Sequence, residues 1–488
     1  IISRVMRAGK MVRVKERIKN YTYRQALKKI INLIPMATNK SLVKMTYLAE
    51  KMTGVADTLQ QIGELRRYFE IDHPSVRLGK RILATLSPNC RRKLVENFFL
   101  NAGIIGITKH REYKQKYGYE PPWFLLLSPT MRCNLNCKGC STREFDSRND
   151  LPFEEMDRIL TEAKRDMGIY FVTTLGGEMF TREDMFDLYK KHNDVYFQVY
   201  TNGTLIDKKT ARRLAKVGNV ALMISVEGFE KETDERRGKD VWKKVIQAMD
   251  NLKEARVLFG YSCTMTRDNA EIIISDKFFD FMINKGCYVG WYFQYIPIGK
   301  SPDISLMASP EQRNELRKKL IEVRNTREIF TGDFWNDGPY VGGCIAGGRN
   351  YLHINNKGEV EPCGFVHFAV DNIHGKTLKQ ILETPFYLEM RRRIQAVNSQ
   401  DAYSDNLLTP CMIIDQPWVL RELIKKYNAY STDGGDGLIK GEIAKGLDEY
   451  SKGIHNLYDR IWEEEYKEFH PVSRKLPPVF TQSSPEHI

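Results

Sequence analysis

Ser128-Pro129-Thr130-Met131-Arg132-Cys133-Asn134-Leu135-Asn136-Cys137-Lys138-Gly139-Cys140 follows directly on the apolar run Phe124–Leu127. Four large hydrophobic residues in a row, bounded by prolines at 121, 122 and 129, read as a short strand buried on both faces. The loop after that strand carries three cysteines, spaced four and three residues apart. Thiolates placed in this way can wrap three corners of a cubane iron–sulfur cluster, leaving one iron free to chelate a substrate or cofactor. The bland alternatives are a zinc site and a disulfide-exchange loop. Zinc usually takes four protein ligands in paired spacings, and no fourth Cys or His lies nearby.

Working outward, strands are expected near Phe124–Ser128, Tyr170–Leu175, Val195–Thr201, Val220–Val226, Val257–Thr264 and Val289–Ile296. Amphipathic helices fit between them at Phe153–Lys164, Lys208–Val217 and Val241–Ala255. Regular strand–helix alternation implies a parallel sheet with helices outside it. Six such units point to an α/β fold, a partial (β/α)6 TIM-like barrel, whose chemistry collects at the C-terminal ends of the strands. Four regions are expected: a basic all-helical module over 1–121, the barrel over 122–330, a small cluster-binding extension over 331–415, and a helical tail over 416–488. The helical pattern begins near Met11, and the Pro/Ser-rich end from Pro471 reads as poorly ordered.

Cys-x3-Cys-x2-Cys after the first of six such strands resembles the signature of the radical S-adenosylmethionine superfamily, and the resemblance covers about residues 122–330. It implies a 4Fe–4S cluster on Cys133, Cys137 and Cys140, with S-adenosylmethionine on the open iron. It also implies cofactor contacts at successive strand ends. Gly176-Gly177-Glu178 resembles the family motif that meets the cofactor's amino group. Asn202 follows the third strand, Ser225 ends the fourth at a position used for ribose or carboxylate, and Arg237 stands where relatives place an arginine near the carboxylate. Gln294 and Tyr295 fall on the adenine-side strand. One departure is Gly139, since the residue before the last cluster cysteine is often aromatic in the family and packs near the adenine. Another side chain must then cover that face. The implied reaction is reductive cleavage of the cofactor to methionine and a 5′-deoxyadenosyl radical, which takes hydrogen from an unreactive C–H bond. No side-chain acid or base is needed for that first abstraction, so no catalytic residue is assigned beyond the cluster.

Cys344 is followed, after thirteen residues, by Gly358-x4-Cys363, and the stretch between reads as a hairpin turning at Asn355-Asn356-Lys357-Gly358. This resembles the opening half of the auxiliary-cluster extension of the SPASM or shorter twitch type. The later cysteine group of that extension is absent, and only Cys411 remains downstream. Cys344, Cys363 and Cys411 are therefore the expected ligands of an auxiliary iron–sulfur cluster. The plain alternative is three separate buried thiols. Cys90, Cys263 and Cys287 lack partners at informative spacing and read as core, although Cys263 ends the fifth strand.

Nine cysteines, an odd number, argue for metal or redox chemistry in a reducing compartment over a disulfide framework. No apolar run approaches the roughly 18–20 residues that span a bilayer, and Arg4, Arg7 and Lys10 interrupt any signal peptide. A cytoplasmic enzyme is expected, at most peripheral at the inner face of the membrane. The net charge of +13 is uneven, since residues 1–120 carry 25 Lys/Arg against 9 Asp/Glu. That basic module suits an anionic membrane surface, which makes a membrane-lipid chain the expected substrate, in line with a weaker whole-chain resemblance to lipid-modifying radical enzymes. The alternatives are modification of a peptide or protein and modification of a nucleotide, though no nucleic-acid motif accompanies the charge. The cluster would need an external electron donor such as flavodoxin or ferredoxin.

Overall fold

The six apolar runs become six strands: β1 Phe124–Leu127, β2 Phe171–Thr174, β3 Tyr196–Thr201, β4 Val220–Ser225, β5 Phe259–Met265 and β6 Val289–Gln294. The structure is a computed structural model and describes residues 34–51, 56–142, 149–394 and 405–466. Each strand pairs in parallel with the next in sequence. Helices Phe153–Glu162, Lys208–Val217 and Val241–Ala255 fill the crossovers. In the second of these, Asp207 caps the first turn by accepting from Thr210 N at 2.7 Å. Its Ala211 and Leu214 are buried, while Lys208, Lys209 and Arg212 face solvent. Crossovers of one hand place all the helices on one face, so a sheet wound in sequential order curls around the other.

Among the described residues the sheet holds nine strands, not six. β7, Phe330–Asp333, adds in parallel to β6. β8, Tyr351–Ile354, lies parallel beside β1, and β9, Val360–Glu361, runs antiparallel outside it. The hairpin expected around Gly358 is present, closed by Gly358 N to Asn355 O at 3.0 Å and Asn355 N to Glu359 O at 3.0 Å. Its attachment to the first strand of the barrel is new. The division expected between 330 and 331 falls inside β7, so the barrel and the extension share one continuous sheet.

Residues Asn39–Glu50, Ala56–Glu70, Pro74–Thr85 and Pro88–Lys93 are helical, and a π-helical stretch Leu94–Gly106 leads into a last helix, Ile107–Tyr117. These helices are tied to the barrel's outer face. Ser87 N donates to Arg256 O at 2.9 Å, and Asn97 Nδ2 donates to Val195 O at 2.9 Å. The helical pattern read from Met11 to Leu33 lies outside the described residues, as does the Pro/Ser-rich end. The tail is not helical throughout. Between helices Pro417–Tyr427 and Gly441–Ile461 the chain forms β11, Tyr430–Ser431, which pairs with β10, Phe368–Ala369. No helix among the described residues is long and apolar enough to cross a membrane.

Candidate cluster and cofactor site

The cysteine loop is pinned across the C-terminal ends of four strands. Gly177 N donates to Thr130 O at 2.9 Å and Glu178 N to Arg132 O at 2.6 Å, which fixes the loop to the end of β2. Lys138 N donates to Arg236 O at 2.8 Å after β4, and Lys300 N to Cys140 O at 3.0 Å after β6. Gly177 permits this approach, because a Cβ there would stand 2.0 Å from Arg132 O. Cys133, Cys137 and Cys140 are free thiols, each half-buried. Burial pushes the Cys133 thiol up, with the Glu178 carboxylate and the two companion sulfurs adding to it; Leu135 N–H, 3.4 Å from its sulfur, opposes. Burial also raises Cys137, and the Arg237 guanidinium works against it. Metal binding removes such protons outright.

The cofactor-contact candidates divide once their partners are known. Asn202 sits at the cluster loop: its Nδ2 donates to Asn134 Oδ1 at 2.9 Å and lies 3.8 Å from Cys133 Sγ. Arg237 is close enough to Cys137 and Cys140 to feel both sulfurs. It is held from behind by Glu227, whose carboxylate is 2.8 Å from Arg237 Nε and 2.7 Å from Arg236 Nη1. Ser225 Oγ is half-buried and 3.4 Å from Ser262 Oγ. The Glu178 side chain is sealed in the wall. It accepts from Thr201 Oγ1 at 2.8 Å, Asn202 N at 2.8 Å and Phe180 N at 3.2 Å, so it staples the end of β2 to the end of β3. Burial raises its pKa against those hydrogen bonds. Gln294 turns its amide into the core, 3.6 Å from Met265 Sδ. Its side chain is on the outward face of β6, while Trp291 and Phe293 take the inward face.

Tyr295 fills the place that Gly139 leaves open. Gly139 has φ +62°, and a Cβ on it would stand 2.8 Å from Tyr295 Cε2. The Tyr295 ring therefore packs against the loop at Gly139, anchored by its hydroxyl accepting from Asp303 N at 3.2 Å.

The second set of cysteines comes together from three separate segments. Gly347 N donates to Pro362 O at 2.8 Å, which draws the Cys344 loop to the end of the hairpin at Cys363. Cys411 is held by Asp415, whose Oδ2 accepts from Cys411 N at 3.0 Å. Asp415 is itself fixed by Arg313 at 2.5 Å, and both side chains are fully buried. Burial, then the neighbouring Cys363 sulfur, pushes the Cys344 thiol up to about 12. Cys411 is raised by burial, by Asp415 and by Cys344. Tyr351 Oη donates to Cys363 Sγ at 3.1 Å.

A buried polar chain joins the two cysteine regions. Ser128 Oγ, at the root of the first loop, is 2.7 Å from His353 Nε2 on β8. His353 Nδ1 is 2.7 Å from Glu361 Oε2 on β9. Although burial opposes it, the His353 imidazole and the Thr432 hydroxyl hold the Glu361 carboxyl below the usual carboxylate range. Across the interior, half-buried rings meet: Phe293 stacks on Phe334 at 5.1 Å and stands edge-on to Tyr200 at 5.5 Å.

Sequence reading missed Glu227, Tyr351 and the Ser128–His353–Glu361 chain. For Glu227 there was a signal, an acid nine and ten residues ahead of two arginines across a strand-to-helix turn. Ser128 and His353 lie 225 residues apart and left none, and the nearer Tyr351–Cys363 and His353–Glu361 contacts depend on the hairpin's register.

Among the described residues no three Cys, His, Asp or Glu side chains converge on a point where one metal ion could sit. Thiols serving different irons of a cubane need not converge on one point. The donor sets, free thiols with N–H donors and an arginine beside them, fit iron–sulfur clusters. Residues 127–270 match the model of the radical SAM superfamily, and residues 344–412 match that of the SPASM iron–sulfur cluster-binding domain. The chain thus carries a radical S-adenosylmethionine domain over residues 127–270 and a SPASM domain over residues 344–412. These domains imply a 4Fe–4S cluster, S-adenosylmethionine and auxiliary iron–sulfur chemistry.

Among curated proteins the chain is similar to Fe-coproporphyrin III synthase of Methanosarcina barkeri, 28% identical over 225 residues, covering 43% of this chain and 56% of that protein. It therefore spans little more than half the length of that relative. It is also similar to PqqA peptide cyclase of Granulibacter bethesdensis, 26% identical over 264 residues, covering 50% of this chain and 68% of the other. The solved structure of Streptococcus suis SuiB bound to S-adenosylmethionine shares the fold, with TM-score 0.50 and 21% identity, covering 62% of this chain and 75% of that one.

Proposed function

We propose that this chain is a SPASM-type radical enzyme that modifies a peptide or protein at an unreactive C–H bond. The observation that carries the enzyme reading is the shared sheet. β1 runs into the Cys133 loop, and β8, hydrogen-bonded along β1, runs through the hairpin to Cys363. A peptide substrate is favoured because a curated relative is by name a peptide cyclase. The lipid reading, with residues 1–120 on an anionic membrane, draws no support from the relatives named above.

When bound, the cluster and S-adenosylmethionine supply one-electron cleavage of a sulfonium and a carbon radical that abstracts hydrogen. In this reading the protein's residues hold and shield that chemistry. Cys133, Cys137 and Cys140 bind three irons. Gly176 and Gly177 let the end of β2 close directly on the cysteine-loop backbone, where their own backbone would meet an amino group, and Asn202 and Ser225 offer polar contacts at the next strand ends. Arg237, paired with Glu227 and close to Cys137 and Cys140, would meet the cofactor's carboxylate. Tyr295 covers the face above Gly139 where an adenine would lie, with Gln294 contributing backbone only. The ring-lined interior around Tyr200, Phe293 and Phe334 excludes water from a reactive intermediate. Cys344, Cys363 and Cys411 hold the auxiliary cluster, and flavodoxin or ferredoxin supplies the electron.

The test is anaerobic reconstitution with iron and sulfide, an iron count, and an assay for 5′-deoxyadenosine with candidate substrates. About eight irons per chain and cleavage stimulated by a short peptide, with a mass change in that peptide, are expected. Stimulation by lipid vesicles or by an iron porphyrin, and not by peptides, would replace the peptide reading. No cleavage from a reduced cluster would remove the enzyme reading.

A further inference from the structure

Tyr351 occupies a position that a core tyrosine does not need. Its phenol is buried, and its hydroxyl points at Cys363 Sγ at 3.1 Å. The ring cannot swing away, because its backbone pairs with Phe124 in the β1–β8 register and its face stacks on the Phe124 ring at 5.0 Å and 21°. As a phenol it carries one O–H, and the hydrogen bond it makes is to that sulfur. Backbone N–H groups donate to the same set of sulfurs, those of Phe365 and Val366 to Cys363, of Ala346 to Cys344 and of Ile413 to Cys411. Tyr351 adds a side-chain donor that evolution or design can switch off with one atom.

We propose that Tyr351 sets the reduction potential of the auxiliary cluster by donating its O–H to the Cys363 sulfur. This rests on reading Cys344, Cys363 and Cys411 as ligands of that cluster. A hydrogen bond to a thiolate ligand stabilises the reduced, more negative cluster and moves its potential upward. Tyr351 stands on β8 against β1, so the same residue that joins the extension to the barrel fixes the electron affinity of the second site. It is a tuning residue and touches no substrate.

The experiment uses the full chain, reconstituted anaerobically, in wild-type form and as Tyr351→Phe, which keeps the ring on Phe124 and removes only the hydroxyl. Both are titrated electrochemically under paramagnetic-resonance detection, with iron counted in each. The expected result is unchanged iron, an auxiliary midpoint displaced to more negative potential, and a Cys133-site signal that still responds to S-adenosylmethionine. Pulsed resonance in deuterated buffer should also lose one exchangeable-proton coupling on the auxiliary signal. An unmoved midpoint at about eight irons per chain overturns the proposal. So does loss of about four irons in the variant, which would make the phenol a ligand. Wild-type protein with only about four irons defeats the auxiliary-cluster reading beneath it, a different outcome. If Tyr351→Phe fails to fold, Phe124→Leu serves instead: it loosens the ring and should displace the midpoint in the same direction, and an unmoved midpoint again counts against the proposal.

Discussion

The two cysteine regions are built by opposite means. Cys133, Cys137 and Cys140 stand within eight residues on one loop, so they are near one another by sequence, and the ends of the neighbouring strands only pin the loop in place. Cys344, Cys363 and Cys411 come from three segments and meet only because the hairpin docks on β1 and a buried Arg313–Asp415 pair holds the Cys411 turn. The first region needs the strand before it. The second needs most of the fold.

That contrast can be broken at several points. Cys133→Ala should abolish 5′-deoxyadenosine formation while leaving the auxiliary irons, so an iron count falling from about eight to about four is expected. Cys363→Ala should do the reverse, sparing basal cofactor cleavage and removing the auxiliary signal; loss of both signals would show that the sites are assembled as one. Asp415→Asn leaves Arg313 buried without its carboxylate, and denaturant titration should record a loss of about 3–5 kcal/mol, with the auxiliary irons lost first.

A smaller effect comes from Asp333, beneath the same network, whose carboxylate accepts from Trp335 N at 2.9 Å and from Asn336 Nδ2 at 2.7 Å. Burial, then Asp337, raises its pKa from 3.8 to about 6. The folded state thus holds this proton more tightly than the unfolded one. Its contribution is full below about pH 3.8 and is lost as pH rises through about 6. Between pH 4 and 7 the wild type should lose on the order of 2–3 kcal/mol relative to Asp333→Asn, measured by denaturation at each pH. Smallest of all, Tyr295→Leu should weaken S-adenosylmethionine binding severalfold in a titration of the reconstituted enzyme, with iron content unchanged.

The same contrast governs what the sequence made legible. Strand positions, the helices between them, the first cysteine loop and the Gly358 hairpin all follow from residues near one another in the chain, and the structure has them. β7 escaped because Phe330–Asp333 is four residues long, includes Gly332 and shows no alternation. The pairing of β8 with β1 could not be read, since nothing in Tyr351–Ile354 names a partner more than 220 residues earlier. Gln294 is instructive in the other direction. Period-two alternation from Trp291 and Phe293 already placed it on the outer face of β6, and the family resemblance drew attention away from that. At Glu178, too, the carboxylate is taken up by Thr201 and the backbone of Asn202 and Phe180 within the wall.

The parallel seam between β1 and β8 has a consequence for how the protein is made. During synthesis β1 leaves the ribosome long before β8 exists, and until Tyr351 arrives one edge of β1 carries unpaired backbone groups directly beside the Cys133 loop. The nascent barrel is thus open-edged until β8 is made. Iron delivered during this interval reaches the first loop before the second set of cysteines has been translated. A chain cut after β7 keeps that edge permanently bare and should associate with itself through it.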